Sequence, residues 1–490
     1  MLLLALACET GSITLDPDTA APILEDDEDT GFIEDEPEGP SNALADAITE
    51  DRLMGHLEAL QSIADNTNNT RAWTTDGHLD SVDYVVGQLE GAGYDVQESL
   101  FTVEDWTLTD TAVSVGQDEL DFAAFDGTGI GTVSGPLVAV DLMLPPGAEN
   151  SSTSGCQASD FDAFPEGGVA LIQRGSCTFA EKALNAEAAG AVGVIIFNEG
   201  QPGRQGIVEG YIGDPVGVPV VGISFADGER LAGELEGGAD LIAALTIEGE
   251  VVEYELRNVV AEWPGEQEDW ILVGAHLDSV LAGPGINDNG SGSALILEMA
   301  LQIATLGLEP EKTLRFAWWD GEEYGLLGSI EYGEDLDPEE LDSLQAYLNY
   351  DMVASTNGAP FLYDGDGSNK GLDFGGAPAP EGSAAIEHLT QDWFDGRELQ
   401  YTEVSVDIPS DSYWFLYNDV PLGGAFSGAS STKTVREAEV FSGTAGSPYD
   451  DCYHQRCDDI ENIDQELFIN LGQSAGYLLG ELMMTTDPLQ

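Results

Sequence analysis

The sequence predicts an α/β fold: a mixed, mostly parallel sheet covered by helices on both faces, with a smaller domain inserted into it. Three observations carry this. From Asn258 onward, apolar strand-like runs alternate with helical stretches, the order that builds a sheet covered on both faces. Between about residues 126 and 250 the texture shifts to short apolar runs, which reads as an insertion with its own core. Acidic and histidine residues follow the later runs directly, where sheets of this kind place their sites.

In chain order, Asp16 to Glu38 is dense in Asp, Glu, Pro, Gly and Thr without Lys or Arg. It reads as a disordered acidic linker. A folded body is expected from near Ala45. Leu53, Leu57, Leu60 and Ile63 recur at helical spacing. A second helix passes through Leu79, Val82, Tyr84, Val85 and Leu89 and stops at Gly91-Ala-Gly93. Strands follow from Val96 to about Val113. In the insertion, strands are expected at residues 169–173, 192–197 and 218–223, with helices at 178–189 and about 226–236. Beyond it, strands are expected at 270–274, 313–318, 346–350 and 422–426, with helices at 293–305, 383–394 and 465–484. The expected division is 1–44 for terminus and linker, 45–125 with 251–490 for the main domain, and 126–250 for the insertion.

Of 490 residues, 42% are hydrophobic, with 8 Trp, 15 Tyr and 17 Phe, enough for a large core. The 92 Asp and Glu face only 14 Lys and Arg, a net charge of -78. Nucleic acid is excluded as a partner, because phosphate contacts need Lys and Arg. Such charge keeps a protein soluble but adds self-repulsion to the folded state. Adaptation to high salt would relieve it by screening; an ordinary exported acidic protein is the plainer reading.

The five cysteines show no zinc-finger spacing. Cys156 and Cys177 flank one loop, and Cys452 and Cys457 another. Two disulfides and one special cysteine fit an oxidising compartment. The special one is Cys8, which ends the run Met1-Leu-Leu-Leu-Ala-Leu-Ala-Cys8. That run is similar to the end of a bacterial lipoprotein signal, though short and without a basic flank. A lipid anchor at Cys8 on an extended tether is the expectation, in an exported protein that is extracellular or attached to the outer cell surface. No other stretch approaches the roughly 18 apolar residues of a membrane span, so no transmembrane helix is expected.

The chemistry-bearing strings come next. Val273-Gly-Ala-His276-Leu-Asp278 closes an apolar strand. Residues two apart share a face of an extended chain. Asp278 can therefore hydrogen-bond the far nitrogen of His276, as partners of metal-bound histidines do. Alone, this is as readily a satisfied polar pair. Gly285-Ile-Asn-Asp288-Asn-Gly-Ser-Gly292 precedes a helix, and a lone Asp in such a turn is ordinarily a turn residue. Trp318-Trp-Asp320-Gly-Glu322-Glu323 follows another strand. Adjacent acids there point different ways, so one can ligate metal while the other handles protons; a solvated acidic turn is the alternative. Asn349-Tyr-Asp351-Met352 ends a third strand, and Asp450-Asp-Cys452-Tyr453-His454-Gln-Arg-Cys457-Asp458 stands near the C-terminus. A Cys452–Cys457 disulfide would close a small loop and hold His454. Together the strings supply two imidazoles, three carboxylates and a spare Glu. Mixed N and O ligands suit zinc, with cobalt or manganese chemically open, and two-metal hydrolases use such sets.

As a set, these strings resemble the secreted two-zinc aminopeptidases of metallopeptidase family 28, aminopeptidase Y-like members included. The likeness rests on Asn287-Asp-Asn-Gly-Ser-Gly292, Gly321-Glu322-Glu323, Asn349-Tyr-Asp351-Met-Val353 and Asp450–Asp458, and spans about Ile48 to Met484. It implies a zinc-exopeptidase-like fold holding two zinc ions (Zn2+). His276 and Asp351 would bind one, Glu323 and His454 the other. Asp288 would bridge them, with a cis peptide bond to Asn289. Glu322 would be general base and then acid, Tyr453 would stabilise the oxyanion, and Asp278 would support His276. The substrate would be a peptide or protein N-terminus, its α-amine held by carboxylates near the metals. The likeness departs at Pro409-Ser-Asp411-Ser412, where some relatives place an Arg before the Ser. The insertion resembles the protease-associated (PA) domain, on Cys156, Gly175-Ser-Cys177-Thr-Phe179 and Ala189-Gly-Ala-Val-Gly-Val194. This implies a Cys156–Cys177 disulfide and a domain that covers the entrance or selects substrates. A monomer is expected.

Three alternatives remain at this point. A carboxypeptidase or dipeptidase of this fold would need a basic group for a substrate carboxylate, and Arg and Lys are scarce. A glutaminyl cyclase-like enzyme works with one zinc, and the Asp-Asn-Gly-Ser-Gly loop and the insertion argue against it. A receptor-like, non-catalytic relative would have lost ligands that this chain keeps.

Overall fold

Strand Gln267–His276 lies inside the main sheet, and its residues alternate between two cores. Ile271, Val273 and Ala275 pack into one, Trp270 and Leu272 into the other. A strand buried on both faces reads as a continuous apolar run. The computed structural model describes residues 39–212, 216–368, 378–486 and 489. The run ending at Cys8 and the acidic stretch from Asp16 to Glu38 lie outside the described residues.

Lys312–Trp319 and Leu344–Tyr350 flank the central strand, both parallel to it. Leu422–Phe426 extends the sheet in parallel. Phe361–Asp364 runs antiparallel to that strand, and Thr402–Ser405 parallel to Phe361–Asp364. Helices Glu50–Asn66, Asp76–Ala92, Gly292–Leu306 and Gln465–Met484 cover one core. Leu327–Asp335, Pro338–Ser343 and Tyr413–Tyr417 border the other. The sheet is thus mixed and mostly parallel with helices on both faces, as expected. Asp76–Ala92 stops at Gly93, whose φ of 94° suits a residue without Cβ.

Two expectations need correction. The body starts at helix Pro40–Ala47 rather than near Ala45. Proline is favoured in the first helical turn, where its missing N–H would be unpaired anyway. The stretch from Val96 to Val113 is one strand of 21 residues, Asp95–Val115. It pairs along its length with Ile242–Trp263, a strand absent from the sequence reading. The middle of Ile242–Trp263 is largely exposed, so its apolar signal is diluted there. This ribbon joins the main sheet through Lys312–Trp319 and the inserted sheet through Gly131–Ala139.

In the inserted sheet, Val169–Gln173, Gly193–Phe197 and Val220–Ile223 run parallel. Alternation again splits two cores, with Val169 and Leu171 on one side and Ala170 and Ile172 on the other. Helices Phe179–Ala188 and Phe225–Glu236 accompany them. Both expected disulfides, Cys156–Cys177 and Cys452–Cys457, are formed. No helix among the described residues is long and apolar enough to cross a membrane.

Charge shapes stability here. Lys182, Lys312 and Lys433 are each at most 1% exposed, so among the described residues no lysine ammonium offsets the surface carboxylates. Raising salt from 0.1 to 1 M shortens the screening length from about 10 to about 3 Å. The melting temperature is therefore expected to climb along a salt series followed by calorimetry. A flat or falling series would contradict salt adaptation.

Candidate metal centre

Three neighbouring parallel strands deliver their ends to one point. His276 closes Gln267–His276, Glu322 and Glu323 follow Lys312–Trp319, and Asp351 follows Leu344–Tyr350. Register sets Trp319 beside His276 and Asn349 beside Gly274. Asp288 arrives on the turn before helix Gly292–Leu306, and its peptide bond to Asn289 is cis, as the resemblance implied. Gly285 opens that turn at φ 62°, and a Cβ there would meet the Asp288 carbonyl. His454 comes from the C-terminal loop closed by Cys452–Cys457.

The five expected ligands and Glu322 converge. Asp288 stands between the histidines, with Oδ1 3.4 Å from His276 Nε2 and Oδ2 3.2 Å from His454 Nε2. Asp351 Oδ1 is 3.4 Å from His276 Nε2, and Glu323 Oε2 is 2.9 Å from His454 Nε2. Glu322 Oε2 stands farther from His276 Nε2, at 3.9 Å. The phenol ring of Tyr453 stacks on His454 at 3.8 Å.

These residues fit metal ions. His276 Nε2, Asp288 Oδ2, Glu323 Oε1 and Asp351 Oδ1 are buried without a hydrogen-bond partner among the described residues, and buried polar atoms ordinarily have one. Electrostatics points the same way. Burial alone would lower the imidazole pKa values, but Glu322 and Asp351 hold that of His276 well above the ordinary value. Asp288 and Glu323 likewise lift His454 to about 10. Burial and then Asp288 push Glu323 up to about 8, despite the histidines. Burial, Asp351, Asp411 and Glu323 hold Glu322 well above the usual carboxylate range, against His276. A surplus of buried carboxylate calls for cations there.

Supporting groups hold these side chains. His276 Nδ1 faces the Asp278 carbonyl at 3.1 Å and its carboxylate at 3.6 Å. That carboxylate also accepts the N–H groups of Glu322 and Glu323 at 3.2 and 3.4 Å. Asp458 accepts the N–H groups of Asn287 and Asp288 at 2.9 and 3.0 Å, which couples the His454 loop to the Asp288 turn. Ser410 donates to Asp351 Oδ2 at 2.7 Å. The sequence reading missed Arg71. It is fully buried and donates to the carbonyls of Leu277, Pro284 and Gly285. Burial lowers its pKa only to about 10, opposed by Asp458 and other acids, so it keeps its charge beneath the site.

A cavity of about 190 Å3 opens beside the centre. Asp288, Glu322 and Asp351 edge it, and Met352, Ile408 and Phe426 form apolar wall. Among the described residues, no Lys or Arg lines it.

Imidazoles and carboxylates converging at the strand ends of such a sheet make a candidate metal centre, and the class of the protein follows from its relatives. Residues 258–479 match the profile of Peptidase family M28, and residues 133–231 that of the PA domain. An aminopeptidase of Pseudomonas aeruginosa is 42% identical over 446 residues, 89% of this chain and 81% of that one. A protein of Mycobacterium tuberculosis named as a probable lipoprotein aminopeptidase is 38% identical over 446 residues, 89% of this chain and 86% of its own. The solved structure of a zinc aminopeptidase from Bacillus subtilis superposes with a TM-score of 0.66 at 24% identity, covering 89% of this chain and 95% of that one. The chain belongs to peptidase family M28 and carries a PA domain.

Proposed function

We propose that the chain is a zinc-dependent aminopeptidase that releases the first residue of peptides and protein N-termini, with two zinc ions at its centre. That it is a metallo-aminopeptidase rests on its family and on relatives that bear that name. Zinc is supported by the mixed donor set and by the fold neighbour described as a zinc enzyme. His276 and Asp351 would hold one ion, Glu323 and His454 the other, with Asp288 between them.

Bound zinc supplies a lowered water pKa and a polarised scissile carbonyl. Glu322 takes the proton of the attacking water and returns it to the leaving amine. Burial first, then Asp288 and Glu323, raise the Tyr453 phenol pKa, so it stays protonated and donates to the developing oxyanion. The single observation that favours an aminopeptidase is the cavity edged by three carboxylates, with no Lys or Arg among the described residues that line it. It suits an α-ammonium, whereas a carboxypeptidase would have to hold a carboxylate there.

The domain division belongs to this reading, with the main domain running from helix Pro40–Ala47 to residue 125 and from 251 to 490 and the insertion at 126–250, as does a monomer. So does export, which the lipoprotein relative and the two disulfides support, together with a lipid anchor at Cys8. Cleavage of a leucine chromogenic amide, but not of its N-acetylated form, is expected, and a chelator abolishes it. Equal cleavage of both would reject the aminopeptidase reading.

A further inference from the structure

The metal centre leaves one fully buried histidine unused. His78 lies in the first turn of helix Asp76–Ala92 at 1% exposure. Its Nε2 stands 3.1 Å from Oδ1 of Asp320, which is equally buried. Neither imidazole nitrogen nor that oxygen makes a hydrogen bond among the described residues, so this 3.1 Å contact is the polar neighbour the structure gives Nε2 and Oδ1. Breaking such a pair leaves an uncompensated buried group.

Asp320 is the root of the turn that carries Glu322 and Glu323. Its Oδ2 accepts the Arg257 N–H at 2.8 Å. Its own N–H donates to Asn258 Oδ1 at 3.1 Å, and its carbonyl accepts the Gly328 N–H at 2.9 Å. The Asn258 amide in turn donates to the Gly328 carbonyl at 2.8 Å. Both ends of the turn therefore converge on Asp320, while Asp278 holds the N–H groups of Glu322 and Glu323.

We propose that His78 is a positioning residue for Glu322, acting through Asp320: the pair pins the root of the turn to helix Asp76–Ala92. This rests on the reading of Glu322 as the base. A base displaced by about 1 Å loses on the order of 100-fold in rate, so the anchor bears on turnover rather than on binding.

Asp320→Asn keeps the shape and the acceptor for Arg257 but removes the charge facing His78. On leucine p-nitroanilide its kcat is expected to fall at least about tenfold, with KM and bound zinc unchanged. Amide exchange at Glu322 and Glu323 quickens. His78→Met behaves likewise, and His78→Gln, whose amide can donate to Asp320, regains most of the turnover. A kcat per folded, zinc-loaded Asp320→Asn molecule within about twofold of the parent overturns the proposal, whatever its melting temperature. Should that variant fail to fold, His78→Met is read by the same criterion. An inactive parent enzyme would refute the aminopeptidase reading instead, and unchanged amide exchange at Glu322 would still overturn the positioning role.

Discussion

Replacing Glu322 by alanine is expected to lower kcat on a leucine amide by about 10²- to 10⁴-fold, the usual contribution of a general base, while bound zinc stays at the parental level. Glu322 stands farther out than the ligand candidates, although its carboxylate is near enough to His276 and Asp351 to share an ion with them. It is 3.9 Å from His276, against 3.4 Å for Asp288 and Asp351. Burial and the neighbouring carboxylates raise its affinity for a proton, which suits a group that must accept one from water and then pass it on. Kinetics with metal analysis of the same sample checks this. Zinc lost together with activity would make Glu322 a ligand, and activity within about threefold of the parent would remove it from the mechanism.

Asp288→Ala is expected to be the most damaging single change to metal binding. One carboxylate faces both imidazoles, through different oxygens. Its loss weakens both halves of the centre, whereas removal of Asp351 or Glu323 touches one. Changes behind the ligands typically cost 10- to 100-fold in metal affinity; the Asp288 variant is expected to exceed about 100-fold in a chelator competition. Its kcat should drop to background, with the N–H groups at Asn287 and residue 288 still held by Asp458. A variant that binds zinc at parental affinity would show that Asp288 is not shared by two ions.

How much of this could be read in the sequence follows from where each signal lies. The strand at Trp270 announces itself because both faces are buried, leaving an unbroken apolar run, and the strand at Thr313 by its apolar close Phe316-Ala-Trp-Trp319. The ribbon of Asp95–Val115 and Ile242–Trp263 does not, because its middle faces solvent and its pairing joins residues more than a hundred positions apart. The ligand strings were legible because each is short, with His276, Glu323 and Asp351 at strand ends, Asp288 in a Gly-rich turn and His454 between two cysteines, and because together they resemble one family. Arg71 was not legible: its meaning lies in the carbonyls of Leu277, Pro284 and Gly285, about two hundred positions on, and nothing near residue 71 hints at them. His78 and Asp320 are silent for the same reason. Each looks like a helix or turn residue until the fold sets them 3.1 Å apart.

The most direct test is to strip the enzyme with a chelator and add zinc back in measured equivalents, following turnover of the leucine amide. Full activity is expected to return only as the second equivalent binds, and Asp288→Ala is not rescued this way. Full activity at one bound zinc per chain, with a second ion adding nothing, would contradict it.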